Sequence, residues 1–167
     1  MAVTNLQHVG IEVPDIQTGL DFYGDAGLET YARDGVGVVG CVGRSQDQLK
    51  LIEGTRKKLH HVCFGTSESG YSLIKFRPEN GGIELLDAPN ESPEEGLWVR
   101  DPDGIYVNIR IADPAPSFGG PEALGDQATW PTNTPGHFER HGLRAAPPRD
   151  VQVNPRRLGH ILQFTPD

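Results

Sequence analysis

Three histidines occupy the same place in three similar stretches of the sequence. The stretches begin Leu6-Gln7-His8, Leu59-His60-His61 and Leu158-Gly159-His160, and each continues with the alternating apolar residues of a half-buried strand. Imidazole binds transition metals and exchanges protons near neutral pH, so a histidine repeated on strands is a candidate metal ligand or acid–base group. On a strand, such a side chain shares a face with the residues two positions away.

The elements that would position the first histidine follow it directly. Val13-Pro14-Asp15 ends the first strand, because proline cannot continue a ladder, and Asp15 is a candidate N-cap. Asp34-Gly35 predicts a tight hairpin turn, and Gln46-Asp47-Gln48 predicts another turn. The predicted elements of this first unit are strand 5–13, helix 16–26, and strands 28–34, 36–42 and 49–52.

The second histidine begins a unit of the same order, which indicates an internal repeat. Asp101-Pro102-Asp103-Gly104 predicts a tight turn before its last strand. The predicted elements of this second unit are strand 59–65, helix 67–79, and strands 83–87, 96–100 and 105–111.

Beyond the two units the pattern changes. Residues 113–157 are crowded with proline and glycine, which is typical of a linker or a segment wrapped on the folded body. The third histidine strand then starts, and the chain ends at Asp167, one strand into a further unit. We therefore expect a domain over 1–112 made of units 5–54 and 59–111, a linker over 113–157, and the start of a truncated second domain at 158–167.

Composition excludes several classes of protein. The 167 residues carry a net charge of -8 without a basic run, which argues against a nucleic-acid partner. No apolar run approaches the length of a membrane span and no secretion signal is visible, so we expect a soluble cytoplasmic protein. Cys41 and Cys63 lie in apolar strand patterns without CxxC spacing, which predicts buried reduced thiols.

The chain has two strand–helix–three-strand units, a histidine on each first strand, and Asp-Pro-Asp-Gly before the last strand. Together these features resemble the vicinal oxygen chelate superfamily. That superfamily includes glyoxalase I, fosfomycin- and bleomycin-resistance proteins and type I extradiol dioxygenases. The resemblance covers residues 5–112 and resumes at 158–167. It implies an α+β fold in which two units form one metal-binding cup. The ligands would be the histidine of each first strand and a carboxylate on each last strand.

The ligand positions that the resemblance implies are only half filled in this chain. His8 and His61 stand at the two imidazole positions. The carboxylate of the second unit falls on the fourth residue after Gly104, which is Asn108, and that of the first unit falls on Lys50. An amide and an ammonium do not supply the anion that a 2-His-1-carboxylate iron site needs. We therefore expect a vestigial site without metal over residues 5–112, with Glu53 and Glu84 as the nearest substitute carboxylates.

This pattern resembles type I extradiol dioxygenases most, which look like two such domains in tandem. In that group the N-terminal domain lacks the metal, and the C-terminal domain holds Fe(II) or sometimes Mn(II). The stretch Asn154-Pro155-Arg156-Arg157-Leu158-Gly159-His160 resembles the start of the metal-bearing domain. His160 would then be the first iron ligand of the intact enzyme, with the remaining ligands beyond Asp167.

The resemblance implies a function for the intact protein and two alternatives for this chain. The chain would be the non-catalytic N-terminal portion of a homo-oligomeric enzyme that cleaves catechols with O2 in aromatic catabolism. One alternative is a self-sufficient glyoxalase- or resistance-type metalloenzyme, which needs a carboxylate at position 50 or 108. The other is a metal-free binding protein of the bleomycin-resistance type, with Trp98 and Tyr106 as aromatic candidates.

Overall fold

A computed structural model describes residues 3–41, 44–76, 83–89, 92, 94–113 and 161 of the chain. Two helices and seven strands form within these residues. In chain order they are β1 (Asn5–Val13), α1 (Ile16–Asp25), β2 (Glu29–Arg33), β3 (Val36–Gly40), β4 (Asp47–Glu53), β5 (Lys58–Thr66), α2 (Glu68–Phe76), β6 (Leu97–Arg100) and β7 (Tyr106–Ile111). No helix among the described residues is long and apolar enough to cross a membrane.

All seven strands belong to one mixed sheet, in the order β2-β3-β4-β1-β5-β7-β6. The first strands of the two units, β1 and β5, pair antiparallel at its centre. Each first strand also pairs in parallel with the last strand of its own unit, β1 with β4 and β5 with β7. The repeat in the sequence is therefore a repeat in the sheet, and the two units meet along their histidine-bearing strands.

One face of the first unit is covered by α1. The carboxylate of Asp15 accepts a hydrogen bond from the amide of Thr18 at 2.8 Å, which confirms the predicted N-cap. Leu20 of the helix packs on Val13, Val39 and Leu51 in a buried apolar cluster. Because strand residues alternate between faces, Lys50 must point to the opposite face from Leu51.

Two turns form as the sequence predicts. Asp34 and Gly35 have positive φ angles of 52° and 80°, the conformation of a two-residue turn that matches strand twist, and they join β2 to β3. In the turn before β7, the carboxylate of Asp101 accepts bonds from the amides of Asp103 at 3.0 Å and Ile105 at 2.8 Å. Gly104 closes that turn through its amide, which donates to the Asp101 carbonyl at 3.0 Å.

Two details of the predicted elements are wrong. The strand expected over 83–87 is reduced to a single bridge between Leu86 and Trp98. Pro89 lacks the amide hydrogen that would extend this ladder, and Ile83 is left exposed. Asp47 and Gln48 do not form a turn, because β4 already begins at Asp47. The predicted linker over 113–157 and the third histidine strand at 158–167 lie outside the described residues, apart from Asp113 and Ile161.

We expect Gly35→Ala to destabilise the protein by about 1–2 kcal/mol, because a Cβ at φ 80° is strained although no atom lies within 4 Å. Gly24→Ala in α1 is the matched control, since its Cβ would meet only the Thr30 hydroxyl at 3.5 Å. That substitution should be neutral or stabilising, because alanine favours helix and restricts the unfolded chain. Urea unfolding of both variants measures the difference, and equal effects would contradict the assignment of strain to the turn.

Candidate functional site

The candidate site lies on the sheet face opposite α1 and is built from two cross-strand rows. In the first row, Lys50 of β4 pairs with Gly10 of β1, and Gly10 pairs with His61 of β5. A Cβ on Gly10 would lie 2.2 Å from Nδ1 of His61, so the imidazole lies directly over the glycine. Because Gly10 has no side chain, the His61 ring can lie over β1, which is one strand nearer to Lys50 than the backbone of His61 in β5.

The second row is the counterpart of the first in the other unit. Asn108 of β7 pairs with Cys63 of β5, and Cys63 pairs with His8 of β1. The thiol of Cys63 donates to Oδ1 of Asn108 at 3.1 Å, and the Asn108 amide donates to the Glu95 carbonyl at 3.4 Å. The four predicted positions, His8, Lys50, His61 and Asn108, are thus all buried on one face of the sheet, as the repeat predicts.

The histidines form a hydrogen-bonded series. Nε2 of His8 and Nε2 of His61 are 3.1 Å apart, and Nδ1 of His61 is 2.8 Å from Nδ1 of His60. A neutral imidazole carries one N–H, so His61 donates through one ring nitrogen and accepts through the other. The protons of the three rings are therefore coupled, because reversing one hydrogen bond requires reversing the next.

Both central imidazoles are held neutral. The pKa of His8 is lowered to about 2, mainly by burial and in addition by Lys50, His61 and Arg110. Burial also lowers the pKa of His61 to about 3, together with His60 and Lys50. Burial raises the pKa of the Cys63 thiol to about 12, so this predicted buried cysteine is a protonated thiol.

A buried ion cluster occupies the same face. The ammonium of Lys50 donates to Oε1 of Glu94, and Nη1 of Arg110 donates to Oε2 of the same carboxylate at 3.0 Å. Asp47 lies 3.7 Å from the Lys50 ammonium and also pairs with Arg33. Lys50 and Glu94 are 6% and 7% exposed, so their charges depend on each other rather than on water. These groups border a polar cavity of about 290 Å³, which is lined by Arg33, Asp34, Val36, Lys50, Glu94, Glu95 and Arg110.

Aromatic rings complete the second unit's side of the site. The rings of His61 and Trp98 meet edge to face with centroids 5.1 Å apart, and Tyr106 meets Trp98 in the same way at 6.3 Å. The Trp98 indole donates to the Glu94 carbonyl at 3.3 Å. Trp98 is buried, so these rings pack the site instead of lining an open groove.

These residues do not fit a divalent iron site. The two imidazoles are present, but Lys50 and Asn108 replace the two carboxylates, and the carboxylate of Glu94 is bound by two cations. Within the described part of the chain, no three histidine, cysteine or acidic side chains come together as a metal site. The substitute carboxylates proposed from the sequence, Glu53 and Glu84, are both exposed and make no contact with these imidazoles that the structure describes.

Sequence reasoning missed Glu94, the anion on which the ion cluster depends. It lies in the irregular segment before β6 and pairs with a lysine 44 positions earlier, so no periodic pattern points to it. The only signal was the unexplained charge of Lys50 on a strand face that should be buried. His160, the predicted first iron ligand, lies outside the described residues.

We expect stability to fall as the pH drops from about 6 to 5, by about 2–3 kcal/mol per pH unit. The unfolded chain binds protons on His8 and His61 near pH 6.5, whereas the folded chain binds them only near pH 2 to 3. Acid therefore favours the unfolded state throughout this window, which lies above the titration of most carboxylates. His8→Gln should reduce the slope by about half in urea unfolding at closely spaced pH values, and an unchanged slope would contradict the neutral pair.

We expect Gly10→Ala to cost about 1–3 kcal/mol, because the new methyl group overlaps the His61 ring. Gly40→Ala is the control in another buried strand, where the nearest atom to a new Cβ is the Gln46 carbonyl oxygen at 3.9 Å. In a His61→Ala background the cost of Gly10→Ala should largely disappear. A cost that persists without the ring would show that Gly10 serves the backbone of β1 and not the imidazole.

Known proteins resemble this chain in sequence and in fold. No model of a known protein family matches the sequence. The chain is 32% identical over 168 aligned residues to metapyrocatechase 2 of Cupriavidus necator, an alignment that covers 99% of this chain and 48% of that protein. The chain thus spans about half the length of the curated relative it matches.

Solved structures share the fold at low sequence identity. The 2,3-dioxygenase LapB of Pseudomonas sp. KL28 is 18% identical with a TM-score of 0.57, over 68% of this chain and 42% of that one. The Mn(II)-bound glyoxalase of Novosphingobium aromaticivorans is 20% identical with a TM-score of 0.53, over 64% and 38%. The resemblance predicted from the repeated histidine strands is therefore confirmed at the level of the α+β fold, which this chain shares with a 2,3-dioxygenase and a glyoxalase.

Proposed function

We propose that the chain is the non-catalytic N-terminal portion of an extradiol dioxygenase that cleaves catechol-type substrates with O2. The similarity to metapyrocatechase 2 covers nearly the whole chain but only about half of that relative, which supports a partial protein of this class. In this proposal residues 1–112 form the non-catalytic domain and 113–157 a linker. Residues 158–167 begin a catalytic domain in a cytoplasmic homo-oligomer.

The observation that carries the non-catalytic role is the identity of the side chains at the two carboxylate positions. The positive charge of Lys50 acts on the histidine pair. The Asn108 side-chain oxygen accepts from Cys63, and its nitrogen donates to the Glu95 carbonyl. A cation bound there would meet repulsion from Lys50 and find one neutral acceptor in place of two anions. The fold is kept while the chemistry of the site is lost, which is expected of a domain that supports a catalytic partner.

In the proposed intact enzyme, His160 supplies the first protein ligand of Fe(II), with Mn(II) as a substitute. Such a metal would supply Lewis-acid and O2 chemistry for ring cleavage, and the protein would orient the catechol and exclude water. From this chain only His160 contributes a ligand.

A chimera tests this division of roles. The chain replaces the matching half of metapyrocatechase 2, and the product is assayed for bound iron and for the coloured ring-opened product of catechol. We expect the chimera to keep iron and activity, His160→Ala to remove both, and His61→Gln to keep iron. A chimera that loses iron with His61→Gln but keeps it with His160→Ala would contradict the proposal.

The 167-residue chain itself should not cleave catechol or dihydroxybiphenyl after anaerobic loading with Fe(II), because the described imidazoles lack an anionic third ligand. The same experiment addresses the alternative of a self-sufficient glyoxalase- or resistance-type enzyme, which would bind one metal ion per chain. Tight binding of an organic ligand without metal would favour the bleomycin-type alternative. Sustained ring cleavage by the chain alone would contradict the non-catalytic assignment.

A further inference from the structure

The histidine pair has the spacing of a metal site although its surroundings do not fit one. Two imidazole nitrogens bonded to one ion at about 2.0–2.1 Å lie about 2.9–3.4 Å apart, depending on the angle at the metal. Nε2 of His8 and Nε2 of His61 are 3.1 Å apart. The two rings here share a hydrogen bond, and the same separation would also suit two nitrogens that bind one cation.

The cation on this face is supplied by the chain. Lys50 is the residue that faces His61 across Gly10, and its charge acts on both imidazoles. Lys50 is 6% exposed, and its ammonium is bound by Glu94, which is itself buried. Burying an unpaired ammonium is costly, so Glu94 is the group that makes a lysine tolerable here.

We propose that the ammonium of Lys50, bound by Glu94, takes the place of a divalent cation beside His8 and His61. The positive charge beside the two imidazoles then belongs to a side chain of the protein, and this face of the sheet needs no bound metal ion. The inference concerns only the described residues and holds whether or not the intact protein cleaves catechols.

The proposal predicts that one substitution restores a metal site. Lys50→Glu removes the resident cation and introduces a carboxylate one strand away from the His61 ring, which gives a set of two imidazoles and one carboxylate. Without metal this variant should unfold at a lower temperature than the parent, because the new carboxylate lies beside Glu94 and Asp47. Excess Zn²⁺ or Ni²⁺ should raise its unfolding midpoint by about 5 °C or more.

The experiment uses EDTA-treated full chain in thermal unfolding with and without each metal, followed by calorimetric titration. The parent and Lys50→Met should not respond, because both lack the third ligand. Lys50→Glu should bind one ion per chain, and the response should disappear in Lys50→Glu with His61→Gln. A Lys50→Glu chain that shows no metal response, or stays unfolded with metal, overturns the proposal. A one-to-one response of the parent that needs His61 also overturns it.

A second measurement tests the pairing with Glu94 without creating any site. Lys50→Met and Glu94→Gln should each lower the unfolding midpoint, and the double variant should lose less than the two single losses together. This follows because each single change leaves one buried charge without its partner. Strictly additive losses would show that Glu94 is not the counterion on which Lys50 depends, and the proposal would fall.

Discussion

The antiparallel pairing of β1 with β5 is the constraint on which the rest of the site depends. It joins the two units and brings His8 and His61, which are far apart in the sequence, to within 3.1 Å. Each strand then pairs in parallel with the last strand of its own unit, so Lys50 and Asn108 arrive in the flanking rows. A one-residue slip of the central pair would turn the histidines to the helix-covered face, which fixes the register.

The two rows are related by the repeat, but their central residues differ and make the site asymmetric. Gly10 leaves room for the His61 ring, whereas Cys63 fills the corresponding place and donates to Asn108. In the first unit the charged Lys50 can therefore lie close to the His61 imidazole. In the second unit the Asn108 amide is held by its hydrogen bond with Cys63. The ion cluster joins the two units, because Glu94 accepts from Lys50 of β4 and from Arg110 of β7.

Much of this arrangement follows from local sequence. The first two histidine strands, the Asp34-Gly35 turn and the Asp101 turn each have a short-range physical cause, and each forms as expected. The choice of Asn108 comes from the resemblance, which places a carboxylate on the fourth residue after Gly104, and not from the local pattern. Glu94 escapes such reasoning because its partner Lys50 is distant in sequence and its segment is irregular. The strand expected over 83–87 fails for a related reason, since edge pairing depends on neighbours that the local pattern does not encode.

Charge balance links the imidazoles to the ion cluster. A protonated His8 or His61 would add a positive charge beside Lys50, whose ion-pair partners in the described part of the chain are Glu94 and Asp47. Glu94 is already shared between Lys50 and Arg110. Burial is the main cause that keeps both imidazoles neutral, the nearby cations add to it, and the rings satisfy their nitrogens by bonding to each other. The lysine is thus compensated by carboxylates, whereas the two buried histidines satisfy their ring nitrogens without charge.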